Sequence, residues 1–209
     1  FHNNTIRYIV IKVYILVMST ILELKTDEKI IIRHLQKSDV EGVWNNFNEV
    51  IDEGIYLPVL FPVRSQLEKD SWYHKIKKEK EICIIAETKK IKSPNNIIGQ
   101  CEISNSDWDA GLHVGNLGII VTEKYRDLGI GTNLIDLAIK ESKKLNNKEK
   151  IILSCFSTNK RALHIYKKMG FEMIGVRKNQ FYMDSKYYDE VLMDLWIDDY
   201  LNQNKEIHK

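Results

Sequence analysis

Residue types suited to holding an anion cluster in one short run: Tyr125, Arg126, Asp127, Leu128, Gly129, Ile130, Gly131 and Thr132, reading YRDLGIGT. Gly129 and Gly131 lack Cβ atoms, so a ligand can come close to the backbone there. Where a helix begins, its first N–H groups are unpaired donors, and the helix dipole favours negative charge beside them. Arg126 adds a planar cationic fork matched to phosphate oxygens, and Thr132 adds a hydroxyl. No Gly-Lys-Ser/Thr follows the glycines, which excludes a Walker A loop, and the three-glycine dinucleotide fingerprint is missing as well. Taken alone, the run also fits a helix start whose glycines serve tight packing.

A second cluster lies downstream in LSCFSTNKRALHIYKKMGF, Leu153 to Phe171. It reads as a strand, a loop with Asn159, a helix bearing Ala162 and Tyr166, and a stop at Gly170. Asn159 is well suited to cap that helix.

These clusters need elements to position them. Lys29 to Leu35 (KIIIRHL) reads as a short buried strand, followed by a helix from near Asp39. That helix carries Val40, Val43, Trp44, Phe47 and Val50-Ile51 at helical spacing and stops around Gly54. Tyr56 to Val63 (YLPVLFPV), with two prolines, is an apolar loop. Gln66 to Lys80 reads as a helix with Leu67, Trp72 and Ile76 facing inward. Glu81 to Glu87, Ile97 to Ser104 and Leu112 to Val121 are strands, the first two separated by the turn-rich KSPNN. Gly129 to Lys144 is an amphipathic helix, Ile151 to Phe156 a buried strand and Asn159 to Met169 a helix. Phe171 to Arg177, Gln180 to Met183 and Glu190 to Ile197 complete the strands, and the polar tail Asn202 to Lys209 is expected to fray. The order β-α-α-β-β-β-α-β-α-β-β is mixed α/β, antiparallel first and βα-alternating afterwards.

The bulk numbers narrow the class. The chain has 209 residues, 44% hydrophobic and 29% charged, the balance of one ordinary globular domain rather than a disordered chain. A net charge of +2 gives no support to a nucleic-acid binder. Cys83, Cys101 and Cys155 lie far apart within apolar runs, which argues against zinc and disulfides. Buried thiols in a reducing, cytoplasmic setting, with no metal, are the expectation. The opening FHNNTIRYIVIKVYILV is too short and too interrupted, by Lys12, to span a membrane. It could pass for the apolar core of a signal peptide, although no convincing cleavage site follows. The favoured expectation is a natural start at Met18, with 1–28 an N-terminal extension, 29–198 the domain and 199–209 a tail.

Arg-x-x-Gly-x-Gly opening a helix, followed after another strand by N-x-x-A-x-x-x-Y-x-x-x-G-F, resembles the GCN5-related N-acetyltransferase (GNAT) superfamily. KIIIRHLQKSDVEGV, HVGNLGIIV and YYDEVLMDLWI are similar to its first strand and helix start, its central strand and its closing strand. The likeness covers about Lys29 to Ile197, with most similarity to the phosphinothricin and amino-acid acetyltransferase branch, while YRDLGIGT also resembles protein N-terminal acetyltransferases. The resemblance implies a mostly antiparallel central sheet of six to seven strands, splayed at a cofactor cleft and flanked by about four helices. It also implies transfer of an acetyl group from acetyl-CoA to a primary amine, by direct attack through a tetrahedral intermediate. A small-molecule acceptor is expected, with a protein α-amine or a catalytically silent acetyl-CoA-binding module as alternatives. Because family members often pair, a homodimer is a further expectation.

Carried onto this chain, the resemblance seats the cofactor pyrophosphate on Arg126 to Thr132. It pairs the pantetheine arm with Ile119, Ile120 and Val121, where a bulge would splay the strand from Ile151 to Phe156. Asn159 is implied to contact that arm or cap its helix, and Tyr166 to give a proton to the leaving sulfur. For the base, His113 stands where some relatives carry a glutamate on the central strand, and its ordinary pKa of about 6.5 suits the task. Glu102, on the adjacent strand, is the second candidate, and Ser154 cannot serve alone.

Overall fold

A computed structural model describes residues 19–207, with side chains described to residue 203. The expected natural start at Met18 and the apolar run before it lie outside the described residues.

The strands are β1 (Thr20–Glu23), β2 (Lys29–His34), β3 (Ile82–Thr88), β4 (Ile97–Asn105), β5 (Val114–Val121), β6 (Lys150–Phe156), β7 (Glu172–Met183) and β8 (Lys186–Trp196). The helices are α1 (Val40–Asp52), α2 (Gln66–Lys78), α3 (Ile130–Asn146), α4 (Lys160–Lys168) and α5 (Ile197–Ile207). One mixed sheet of order β1-β2-β3-β4-β5-β6-β8-β7 runs through the molecule. All neighbours are antiparallel except β5 and β6.

β3 reads ICIIAET and is buried at nearly every position, because helices cover both faces of the sheet there. Its residues Ile84 and Ala86 join the larger core with Leu134, Ile135, Ala138 and Ile139 of α3. Cys83 and Ile85 face the other way, against Val43 of α1 and Ile76 of α2. Each fully buried isoleucine contributes roughly 1.5–3 kcal/mol relative to exposure. Two such layers fix the sheet between α3 on one face and the α1–α2 pair on the other.

The sheet differs from the expected one in three places. Thr20–Glu23 adds a first strand along β2, inside the stretch expected to be an extension. β7 is one long strand whose pairing with β8 shifts between Arg177 and Phe181, where two strands were expected. β7 and β8 are joined by Asp184 and Ser185, both at positive φ, the two-residue turn whose twist matches a hairpin. The expected last strand stops at Trp196, and Ile197 starts α5, which continues into the tail expected to fray. Leu67, expected to face inward, is 77% exposed, so α2 packs through Lys69, Trp72 and Ile76 instead.

Candidate active site

β5 is where the sheet opens. It pairs with β4 from Gly99↔Val121 to Asn105↔Gly115 in one unbroken register. On its other side it pairs with β6 only at Val114, Gly115 and Asn116. Beyond Asn116 the two parallel strands part, and β6 continues against β8 alone. The expected splay is present, but no bulge in the β4–β5 ladder produces it. From Leu117 to Val121, β5 has no strand neighbour on the gap side, where Arg126 Nε takes the Val121 carbonyl, and the edge is a template for an extended ligand.

A cavity of about 210 Å³ occupies the gap. Ile119, Ile120 and Val121 line one side, and Ser154, Cys155 and Phe156 of β6 line the other. Gly131 and Ile135 of α3 and Ala162, Ile165 and Tyr166 of α4 close one end. Tyr56, Leu57 and Pro58, from the apolar loop after α1, cover the opposite face. Phe61 of the same loop is 78% exposed and stands apart from the cavity.

The glycine run delivers an open helix start to this cavity. Gly129 is the N-cap of α3 with φ 81°, a left-handed backbone that glycine adopts without strain. Ser65 and Asn159 cap α2 and α4 with side-chain oxygens, whereas Gly129 has none to offer, so no side chain caps α3. A Cβ on Gly131 would meet only Ile119 and Val121, at 3.7 and 3.9 Å, on the β5 side. Ile130 is buried in the core, while Leu128 and Thr132 are exposed and outside the cavity lining. Asp127, at φ 61°, lies at the mouth and pairs with Arg161 at 3.1 Å.

Arg126 lines the cavity, and its guanidinium, expected to meet phosphate, forms a two-pronged ion pair with Glu53, with Nη1 2.6 Å from Oε2. Its Nε donates to the Val121 carbonyl at 2.8 Å, and the guanidinium lies 4.6 Å from the centre of the Tyr56 ring. Arg126 therefore braces the end of β5 against the end of α1 and the loop that follows.

Asn159 caps α4, its Oδ1 accepting from Ala162 N–H at 3.1 Å, and also lines the cavity. Tyr166 is buried beside Phe171, with ring centres 5.8 Å apart, and lines the cavity. Burial pushes its phenol well above the ordinary value, with Cys155 and Cys101 adding to the effect, so the proton stays on oxygen. Cys83 and Cys101 are buried as expected, whereas Cys155 is half-buried in the cavity wall. Burial raises the Cys155 thiol to about 11, which keeps it protonated near neutrality.

The two candidate bases separate sharply. His113 precedes β5 at the end remote from the start of α3, is exposed, and belongs to neither cavity wall. A strand rise of about 3.3 Å per residue puts it roughly 25 Å from Val121. His113 is thus corrected as a base candidate: only its backbone carbonyl is engaged, by the N–H groups of Glu149 and Lys150. Glu102 lies opposite Gly118 in the β4–β5 ladder and lines a second cavity of about 380 Å³. That cavity shares Leu57 and Leu117 to Ile120 with the first. Burial raises the Glu102 carboxyl above its ordinary range, with Glu81 adding to it and a hydrogen bond from Trp72 Nε1 at 3.0 Å opposing it. A carboxyl so placed can take a proton from an amine near neutral pH.

Trp72 was expected only as packing, and its polar role carries no sequence signal beyond the residue type. It sits edge-on to Trp44 at 5.3 Å, which in turn meets Phe47 at 5.2 Å. No cluster of metal-ligating side chains occurs among the described residues, and no helix among them is long and apolar enough to cross a membrane.

An open parallel pair of strands over an uncapped, glycine-led helix defines the class to which the chain belongs. Residues 52–171, more than half of the chain, match the Acetyltransferase (GNAT) family, and the chain is a member of it. An N-alpha-acetyltransferase of Sulfurisphaera tokodaii is 37% identical over 70 residues, 34% of this chain and 41% of that protein. The spermidine N(1)-acetyltransferase of Escherichia coli K12 is 29% identical over 42% of this chain and 47% of its own. The matches thus span less than half the length of these two relatives. N-alpha-acetyltransferase 50 of Danio rerio is 29% identical over 59% of this chain and 68% of its own. The yncA protein of Salmonella typhimurium, solved with its cofactor acetyl-CoA, superposes with a TM-score of 0.73 at 15% identity, covering 81% of this chain and 95% of that one. A phosphinothricin acetyltransferase of Sinorhizobium meliloti, in complex with acetyl-CoA, gives 0.70 at 17% identity, covering 79% and 86%. At such identities these two structures establish the shared fold.

Proposed function

We propose that the protein is an N-acetyltransferase that moves the acetyl group of acetyl-CoA to a primary amine by direct attack. The observation that carries this reading is the edge of Leu117 to Val121, without a strand neighbour, running to the uncapped start of α3. Backbone N–H groups at Gly129 to Thr132 suit a pyrophosphate, and the β5 edge suits an extended pantetheine arm with its amide groups. In this role Arg126 acts by bracing β5 rather than by touching phosphate. The phosphinothricin-like affiliation remains one branch among several neighbours of the same fold.

On the acceptor side Glu102 takes the amine proton, directly or through one water, and Tyr166 gives a proton to the departing sulfur. The covering loop Tyr56 to Pro58 supports a small acceptor. The names of the α-amine-acetylating relatives support the alternative, a protein N-terminus. A panel of primary amines, assayed by CoA release, tests the reaction. Turnover of at least one acceptor is expected, while retained CoA binding with no turnover across small amines and peptides identifies a binding module instead.

A further inference from the structure

The cavity beneath α1 has a charge pattern that narrows the acceptor. Its floor is one face of the β4–β5 ladder, where Gln100, Glu102 and Ser104 lie across from Ile120, Gly118 and Asn116. Phe47 and Leu57 form an apolar side. Glu102 is the one charged residue in this lining, and Trp72 anchors it. Gly118, directly opposite, contributes no side chain, and a Cβ there would meet nothing within 4 Å. That open space joins the carboxyl to the first cavity.

Polar groups suited to a neutral partner surround this carboxyl. Gln100 accepts from Asn46 Nδ2 at 3.4 Å through its oxygen, leaving its amide hydrogens for a ligand. Asn116 donates to the Asn105 carbonyl at 3.3 Å, leaving its own oxygen, and Ser104 offers a hydroxyl. No cation lines this cavity. Behind Glu102, α2 brings Lys75, which lies near Glu79 and Glu81, and β3 brings the buried thiol of Cys83. The arginines of the adjoining cleft are paired, Arg126 with Glu53 and Arg161 with Asp127.

We propose that this cavity is the acceptor subsite and that it selects α-amino amides, the amine of an amino-acid amide or of a peptide, over free amino acids. The selection rests on the N-acetyltransferase reading with Glu102 beside the amine. A free amino acid would hold its carboxylate two bonds from that amine, about 5 Å from Glu102, in a partly buried site whose lining has no cation, Lys75 lying behind Glu102 and shared with Glu79 and Glu81. A carboxamide in the same place carries no charge and offers one acceptor and one donor to Gln100, Ser104 and Asn116.

The test compares leucinamide with leucine by kcat/KM, expressed per unprotonated amine, with acetyl-CoA saturating. The amide is expected to be favoured on the order of 100-fold, and a ratio under about 10 overturns the acceptor assignment alone. Gln100→Arg, which adds a cation, is expected to narrow the ratio at least about tenfold, with Ser104→Arg as the second variant should the first fail to fold. A ratio unmoved by either folded variant also overturns the assignment. A leucine-led tetrapeptide separates the two sources: if it outruns leucinamide the acceptor is a peptide, and if it lags the acceptor is a small amide. Absence of turnover with every acceptor, acetyl-CoA still binding, overturns the transferase reading and the acceptor assignment together.

Discussion

In the proposed reaction, the donor and acceptor sides of the cleft are built from different materials. The donor side is backbone: a β5 edge from Leu117 to Val121 with no strand neighbour, and an uncapped helix start at Gly129. The acceptor side is side chain: Glu102 held by Trp72, a gap over Gly118, and Phe47 and Leu57 as apolar wall. Backbone recognition tolerates many side chains but demands glycine and fixed spacing at a few positions. Side-chain recognition demands a three-dimensional arrangement drawn from α1, α2, β4 and β5, with no spacing rule to mark it. The two sides should therefore respond independently to substitution.

The largest break in that independence, if it exists, will appear at Glu102. Glu102→Gln is expected to lower kcat/KM for the best acceptor by about 10²–10³ while CoA affinity stays within about twofold. An equal loss in CoA binding would mean the two sides are not separable. Tyr166→Phe comes next, with kcat expected to fall roughly 10- to 100-fold and CoA affinity retained, since the proposed task of the hydroxyl is to protonate sulfur and the ring is packed beside Phe171. Rapid chemistry monitored in single turnover distinguishes this from slower product release.

Trp72→Phe sharpens the comparison through pH. The indole N–H favours the charged form of Glu102 and so holds its pKa down against burial. Removing that donor raises the carboxyl pKa, so the acid limb of kcat/KM moves to higher pH, by about half a unit to one unit. A limb that stays in place would detach Trp72 from Glu102. His113→Ala is the smallest expected effect: activity within about twofold of wild type, because the side chain is exposed at the far end of β5.

The contrast also explains what the sequence made legible. YRDLGIGT and NKRALHIYKKMGF were legible as helix starts because Gly129 and Asn159 hold the N-cap positions of α3 and α4, and Gly131, Asn159 and Tyr166 all line the cavity. His113 was preferred over Glu102 because it stands where some relatives carry a glutamate and has a suitable ordinary pKa, whereas the β4–β5 register sets Glu102 on the cleft and His113 beyond its end. Arg126 was expected to meet phosphate from its place in the glycine run, and its pairing with Glu53, distant in sequence, left no signal there. Leu67 looked buried because apolar type was read as inward direction, yet α2 turns Lys69 inward, where it pairs with Glu41 at 2.8 Å. Thr20–Glu23 is too short for its alternation to show, and α5 was hidden because its first residue, Ile197, continues the apolar run of β8.

Calorimetric titration of CoA into wild type and Gly129→Asp tests the central claim most directly. Aspartate at φ 81° strains the turn and sets a negative charge where a pyrophosphate would lie. CoA is expected to bind the wild type and to bind Gly129→Asp at least about tenfold more weakly, an effect in line with that strain and charge, with the fold unchanged by circular dichroism. Equal affinity in the two proteins, or no binding by the wild type, would contradict a backbone-built donor site at the start of α3.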